Sequence, residues 1–336
     1  MRHSLPILTF FLLTACVGKA APQPPLTAVV PFTAAPTPQV TETLYAPPPE
    51  PLPDFPVIGY LPDYRSLNRA WAAHLTDIIY FSAEPRSDGT LDTSRLSEET
   101  WQTLAELKQA YGLRVHISFG GWERDGAFAQ MSASLQARQV FITHLLEFLQ
   151  THDLDGVDFD WEFPKTEAEF NNYISLLTET KAVLTPYGFW VSVALPAESN
   201  FPLGEFAVVD RIHLMSYDRG EQHSTYVQAV TDVQAFLEAG IPPEKLILGL
   251  PFYGREMSPP YDTFSYAQIV QAYAPAPNVD EAGGIYFNGL NTIRQKVCYG
   301  IGERLGGFMV WEIALDTEDA SLLNQIYNLA KGKESC

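Results

Sequence analysis

The stretch Asp155-Gly156-Val157-Asp158-Phe159-Asp160-Trp161-Glu162-Phe163-Pro164 decides how the whole chain is read. Side chains alternate faces along a β-strand, so Asp158, Asp160 and Glu162 share one face and Val157, Phe159 and Trp161 the other. The apolar face suits packing beneath helices. The acidic face does not suit an ordinary core, because an isolated buried carboxylate is costly or shifts its pKa until it neutralises. Crowded carboxylates cannot all ionise, so at least one is held protonated near neutral pH and becomes available as a general acid. Glu162, the last before Pro164, reaches furthest along the strand and is the candidate proton donor. Residues two apart lie roughly 6.6 Å apart along a strand. That spacing falls between the retaining and inverting carboxylate separations, so it leaves the stereochemistry open.

Seven further apolar runs accompany this strand: 57–60, 78–81, 113–119, 189–195, 208–217, 246–251 and 307–313. Amphipathic segments separate them. Phe141, Leu145, Phe148 and Leu149 follow the i, i+4, i+7, i+8 spacing of a helix face, and Phe170, Ile174 and Leu177 do the same in the next connection. Eight strands alternating with helices over about 280 residues predict a (β/α)8 TIM barrel. An open doubly wound sheet is the rival, weakened because no GxGxxG follows the first strand. In a barrel the three carboxylates point inward and climb toward the C-terminal mouth, where active sites of this architecture lie. The fifth connection, 197–208, is too short for a long helix, which predicts one reduced barrel helix.

Working outward, Met1–Cys16 reads as an export signal: Arg2 gives a basic start, and residues 5–13 form an apolar run too short to span a bilayer. Leu13-Thr14-Ala15-Cys16 resembles the bacterial lipoprotein cleavage box. That implies a signal peptide over 1–15, lipidation of Cys16, and attachment to the cell-envelope membrane through acyl chains. A plain secretory signal is the alternative. Residues 20–56 carry 12 of the 26 prolines, which cannot build helix or sheet and predict an extended tether over 16–54. The barrel is expected over 55–332, with a short tail at 333–336. The formal charge of −19, from 40 acidic and 21 basic residues, disfavours nucleic-acid binding. Three cysteines exclude a disulfide-rich scaffold, and no CxxC or HExxH spacing suggests zinc.

Asp155-x-x-Asp158-x-Asp160-x-Glu162 is similar to the signature of glycoside hydrolase family 18, the chitinase family. Further similar segments follow in order: Gly59-Tyr60, Ser118-Phe119-Gly120-Gly121-Trp122, Met215-Ser216-Tyr217-Asp218, Pro251-Phe252-Tyr253-Gly254-Arg255 and Trp311. The resemblance covers 56–327. It implies retaining hydrolysis of N-acetylglucosamine polymers in which the substrate's own acetamide oxygen is the nucleophile, so that no metal or other cofactor is needed. Glu162 would then protonate the glycosidic oxygen. Asp160 would orient the acetamide and stabilise the oxazolinium intermediate, and Asp158 would share a proton with Asp160. Tyr217 would donate to the acetamido carbonyl, Asp218 would contact the sugar, and Trp311 would floor the pocket. Tyr60 and Ser118 would hydrogen-bond the inner aspartate. Gly120, Trp122, Met215 and Arg255 fall at substrate-binding positions. Read alone, Tyr60 and Trp311 suit barrel core, Gly120-Gly121 a tight turn, and Met215 a gap-filler.

The chain also departs from the family. Phe163 stands where many relatives carry tyrosine, and His213 where many carry asparagine. By strand parity both His213 and His116 should face the barrel interior, and at least one is expected to reach the Asp158–Asp160 pair. The 50 residues from Arg255 to Arg304 must supply a barrel helix near 291–299, so the full α+β insertion domain of larger chitinases does not fit. An open groove suited to internal cleavage is the consequence. Cys298 and Cys336 fall on neighbouring helices and form a disulfide or remain two free thiols. A monomeric endo-acting chitinase is the leading reading. A peptidoglycan or N-glycan endo-β-N-acetylglucosaminidase and a non-catalytic chitin-binding lipoprotein are the alternatives. Retention of Glu162 and both inner aspartates weighs against the last.

Overall fold

The computed structural model describes residues 55–317 and 322–336. The expected signal peptide, Cys16 and the proline-rich tether lie outside the described residues. Among the described residues no helix is long and apolar enough to cross a membrane.

Eight parallel strands form the barrel: β1 (Val57–Pro62), β2 (Asp77–Pro85), β3 (Arg114–Gly120), β4 (Gly156–Asp160), β5 (Trp190–Pro196), β6 (Arg211–Met215), β7 (Leu246–Pro251) and β8 (Gly307–Trp311). Each pairs with its chain neighbours, and β1 pairs with both β2 and β8, which closes the sheet. The register aligns Ser118 of β3 and Ser192 of β5 with Asp158 of β4. Because side-chain direction has period two, these three project into the barrel at one level.

The alternation in β4 sorts the interior into two cores. Val157, Phe159 and Trp161 join the outer core between sheet and helices, where Trp161 stacks on Phe128 (5.4 Å) and lies against Tyr173 (5.2 Å). A smaller cluster inside the barrel comprises Ile58, Tyr60, Ile79, Phe81, Tyr217, Ile247 and Met309, with Met215 and Trp311 packed against it. Helices α1 (Glu98–Tyr111), α2 (Phe128–Ala133), α3 (Leu135–Thr151) and α4 (Glu167–Leu184) cover the first half. The second half carries α5 (Tyr226–Glu238), α6 (Tyr266–Tyr273), α7 (Leu290–Gly302) and α8 (Leu322–Ala330). Phe141, Leu145 and Leu149 of α3 are buried, as their helical spacing requires. The fifth connection holds only a 3-10 helix at Leu203–Val208, the shortening that its length implied. The first connection is reduced as well, to a 3-10 helix at Arg69–His74. The apolar pattern carried no sign of that second reduction.

Between β7 and β8 the chain folds a small antiparallel sheet from Tyr253–Glu256, Thr263–Ser265, Glu281–Ala282 and Ile285–Tyr286, together with α6. This is a reduced insertion rather than a full α+β domain. At the opposite, N-terminal end of the barrel, buried Asp77 accepts hydrogen bonds from Arg114 (2.8 and 2.9 Å) and Arg211 (2.7 Å) and faces the His116 ring (Nε2 3.1 Å). His116 therefore faces the interior, but at the floor of the barrel.

Cys298 of α7 and Cys336 are disulfide-bonded, with Cα atoms 5.5 Å apart. Arg294 of α7 adds an ion pair to Glu334 and a hydrogen bond to the Ser335 carbonyl. The tail at 333–336 is thus tied to α7 rather than hanging free. Closing a 38-residue separation removes unfolded-chain entropy worth about 4 kcal/mol in the loop-closure model. Replacing both cysteines by serine is expected to lower the thermal midpoint by several degrees and to leave turnover at 25 °C unchanged, measured by calorimetry and initial rates.

Candidate active site

Asp158 is completely buried, and every oxygen lone pair that matters has a donor. Tyr60 donates to Oδ2 (2.9 Å), Ser118 to Oδ2 (3.2 Å) and Ser192 to Oδ1 (2.6 Å). The His213 ring places Nδ1 2.7 Å from the Tyr60 oxygen and 3.3 Å from Asp158 Oδ1. Tyr60 has a single hydroxyl proton, and Asp158 takes it. The bond between Tyr60 and His213 therefore requires a proton on Nδ1. Burial alone would push the Asp158 carboxyl up, but His213, Ser192 and Tyr60 more than offset it and hold the group below its usual range.

Asp160, one step higher, is equally buried but poorly partnered: its Oδ1 has no hydrogen-bond partner. Burial, then the nearby charges of Glu162 and Asp158, push its carboxyl well above the ordinary range. No hydrogen bond joins Asp160 to Asp158, so the expected proton-sharing pair is a pair by charge only. Asp158, already saturated with donors, is held low, while Asp160, which lacks them, is pushed up. Glu162 stands at the mouth. Burial is the main cause of its rise to about 7; Asp125 and Asp218 add to it, and the backbone N–H of Trp122 works against it. A carboxylic acid still protonated near pH 7 is suited to general-acid catalysis.

The turn above β3 supports this row. Gly120 has φ 101°, and a Cβ there would lie 2.3 Å from the Asp160 carbonyl oxygen, so only glycine fits. The next amide, Gly121 N–H, donates to that oxygen (2.6 Å). Asp155, at the foot of β4, accepts from the Val115 amide (2.7 Å) and pairs with Lys108 (3.0 Å); it joins strands and stays far from the mouth.

Above the carboxyls opens a cavity of about 940 Å³. Of the residues singled out in the sequence, it is lined by Tyr60, Trp122, Asp160, Glu162, Met215, Tyr217, Asp218, Arg255 and Trp311. Asp158, Ser118 and Gly120 are not on its wall; they act from behind, through Tyr60 and Asp160. Tyr217 is buried beside Asp160, and burial, followed by the Asp160 and Asp218 charges, pushes its hydroxyl well up, which keeps it a hydrogen-bond donor. Trp311 meets Tyr60 (5.6 Å) and Phe81 (4.8 Å) edge-on, presenting a braced indole to the cavity. Trp122 is 70% exposed at the rim. Arg255 lies over the Tyr261 ring (5.2 Å) with its guanidinium 4.0 Å from Asp218. Phe163 lines the wall without offering a polar group.

Several site residues had no signal in the sequence. Ser192 comes from the adjacent strand, and only the register reveals it. Tyr64, Phe81, Arg124, Glu198 and Tyr261 reach the wall from β2 and four loops. Arg124 is braced there by Asp63 (2.8 Å) and Ser82 (3.1 Å). Among the described residues no group of three or more His, Cys, Asp or Glu side chains is arranged to hold a metal ion. His213 touches the inner aspartate and His116 does not, which separates two histidines that strand parity could not. Replacing His213 by asparagine is expected to raise the Asp158 titration, followed by carboxyl carbon NMR, and to alter the pH–rate profile. His116→Asn is expected to leave both in place.

The profile of glycosyl hydrolases family 18 matches residues 57–316. Chitinase 1 of Aphanocladium album is 26% identical over 330 residues, covering 75% of this chain and 78% of that one. Chitinase A1 of Niallia circulans is 28% identical over 221 residues, half of this chain but only 32% of that longer protein. Among solved structures, the GH18 chitinase ChiB from the chitin utilization locus of Flavobacterium johnsoniae superimposes with a TM-score of 0.73 at 27% identity, over 83% of this chain and 94% of that one. A chitinase from Bacteroides thetaiotaomicron, 23% identical with a TM-score of 0.75 over 84% of this chain and 98% of its own, shares the fold. With Asp158, Asp160 and Glu162 in one row rising to the mouth of the barrel, and a family match that spans the barrel, the chain belongs to glycosyl hydrolase family 18.

Proposed function

We propose that the protein is an endo-acting chitinase that cleaves β-1,4 bonds between N-acetylglucosamine residues with retention, using the substrate acetamide as nucleophile. One observation carries this reading: Glu162 stands in the cavity at the end of the acidic row, its carboxyl raised by burial to about 7, directly above Asp160, which lines the cavity floor and whose burial pushes its carboxyl well above the ordinary range. A protonated, buried Asp160 is a poor nucleophile. It is well placed to hold an acetamide group against the sugar, and Tyr217 supplies a second donor to the same group. Glu162 then protonates the leaving oxygen and, once the aglycone departs, takes a proton from the attacking water.

The cavity volume is at the upper end of the roughly 300–1,000 Å³ typical of ligand sites. Trp311 at its base, with Tyr64 and Trp122 exposed at the rim, offers flat apolar surfaces for more than one pyranose face. The insertion that would wall a deeper groove is short and contributes only Arg255, Pro260, Tyr261 and Thr263 to the cavity. An unwalled groove accepts a chain at internal positions, which favours endo-cleavage. The lipoprotein box at residues 13–16 supports a protein displayed on the cell-envelope membrane. Radiolabelled palmitate incorporation that disappears in Cys16→Ser is the expected result.

Glu162→Gln keeps the shape and loses the acid. Hydrolysis of N-acetylglucosamine oligomers is expected to fall by about 10²–10⁴-fold, with oligomer binding by calorimetry retained. Since Glu162 must be protonated to act, kcat is expected to decline as pH rises through about 7. Newly formed reducing ends are expected to be β-anomers by proton NMR. Rapid release of muropeptide fragments or high-mannose glycans, with chitin oligomers untouched, would overturn the substrate assignment.

A further inference from the structure

The loop after β6 carries Tyr217 and Asp218 into the cavity, and it is fastened from beneath by groups that the chemistry above leaves unused. Lys296 of α7, fully buried, gives its ammonium to the Ser224 carbonyl (2.9 Å), the Ser224 hydroxyl (2.7 Å) and Asn288 Oδ1 (2.7 Å). Asn288 donates to the same carbonyl (2.7 Å), and the Ser224 hydroxyl donates to the Ser216 carbonyl (2.8 Å). One residue further, Thr225 and Gln228 form a capping box that starts α5. The loop is therefore fixed at both ends.

His223 sits between these fixed points with no exposed surface. Its ring stacks on Tyr253 (5.0 Å) and meets Tyr286 edge-on (6.0 Å), both from the reduced insertion. Neither ring nitrogen has a hydrogen-bond partner, nor has the Tyr253 hydroxyl. A phenylalanine would make the same ring contacts without stranding two polar atoms, so packing does not account for a histidine here. The nearest charged group is Asp218, whose Oδ1 lies 3.6 Å from His223 Nδ1. That is just beyond hydrogen-bond reach, and a small rotation of the carboxylate closes it. Asp218 is held at φ 64° and is half exposed in the cavity.

We propose that His223 is a positioning residue for Asp218, donating a hydrogen bond from behind the loop that fixes the carboxylate for the sugar bound against it, with the Tyr253 hydroxyl as second donor. This rests on the reading of the cavity as an N-acetylglucosamine site. The groups facing Asp218 are Arg255 at 4.0 Å and Tyr253 from the segment after β7, Tyr217 from its own loop, and Glu162 from the segment just after β4; His223 faces Asp218, Tyr253 and Tyr286. Partial burial pushes the Asp218 carboxyl up. His223, Tyr253 and Arg255 outweigh it and hold the group below its usual range. Without the imidazole the carboxylate protonates at higher pH, so the acid limb of activity moves toward neutrality.

His223→Phe keeps the ring contacts and removes the donor. The Asp218 carboxyl, followed by carbon NMR without substrate, is expected to titrate at least half a pH unit higher. With a chitotetraose substrate, KM is expected to rise several-fold and the acid limb of kcat/KM to shift upward. In an Asp218→Asn background the same replacement is expected to change neither. An unmoved Asp218 titration, or an equal effect in the Asp218→Asn background, would overturn the proposal. Should His223→Phe not fold, the reciprocal measurement decides: Asp218→Asn is expected to move the resonances of the His223 ring nitrogens in nitrogen NMR at fixed pH, and an unchanged ring refutes the pairing. Both NMR arms stand even if chitotetraose proves not to be a substrate.

Discussion

Three carboxyl groups on one face of one strand repel one another, and the barrel tolerates them only because the innermost is fully paired. Asp158 accepts hydrogen bonds from the hydroxyls of Tyr60, Ser118 and Ser192 and faces the Nδ1 of His213. These donors come from four different strands. Their number explains why a buried carboxylate remains ionised, and why the proton of the crowded set is pushed outward to Asp160 and Glu162. The contrast between a lowered Asp158 and the raised Asp160 and Glu162 is thus a consequence of where hydrogen bonds are available.

The same arrangement divides labour between the two faces of β4. Its odd-numbered residues bind the strand to α2 and α4 through Phe128, Tyr173 and their neighbours. The even-numbered residues carry the charge. A one-residue slip would exchange the faces, placing Phe159 and Trp161 inside the barrel and the acids under the helices. Asp155 pins the foot of the strand to β3 and to Lys108, while the Gly121 amide pins the Asp160 backbone near its top. The catalytic row is held at its foot by the Asp155 carboxylate and near its top by a backbone hydrogen bond, neither of which uses the side chains of Asp158, Asp160 or Glu162.

The histidines show how identical residues acquire different work. His116, His213 and His223 are all buried. The first faces Asp77 at the floor among two arginines, the second braces the inner aspartate, and the third lies behind the loop bearing Asp218. Strand parity correctly turned the first two inward, but it carries no information on depth. Height along the barrel axis depends on register and tilt, which are properties of the closed sheet.

What the sequence by itself determined was periodicity and order. Period-two alternation in β4 separated acids from aromatics, the i, i+4 spacing of α3 identified its buried side, and eight alternating segments specified a barrel. The short fifth connection and the limited length between β7 and β8 were also legible, since a chain cannot build a long helix or a full domain from too few residues. Only the tertiary structure decided which residues meet across strands. Ser192 is an unremarked serine until the register sets it against Asp158, and Tyr64, Arg124 and Glu198 become cavity wall only when separate loops converge at one mouth. The first connection, 69–74, likewise gave no warning of its reduction to a 3-10 helix. Local pattern reports which face a side chain occupies. The distances that make those faces a chemical site arise from closure of the sheet, which no short window of sequence contains.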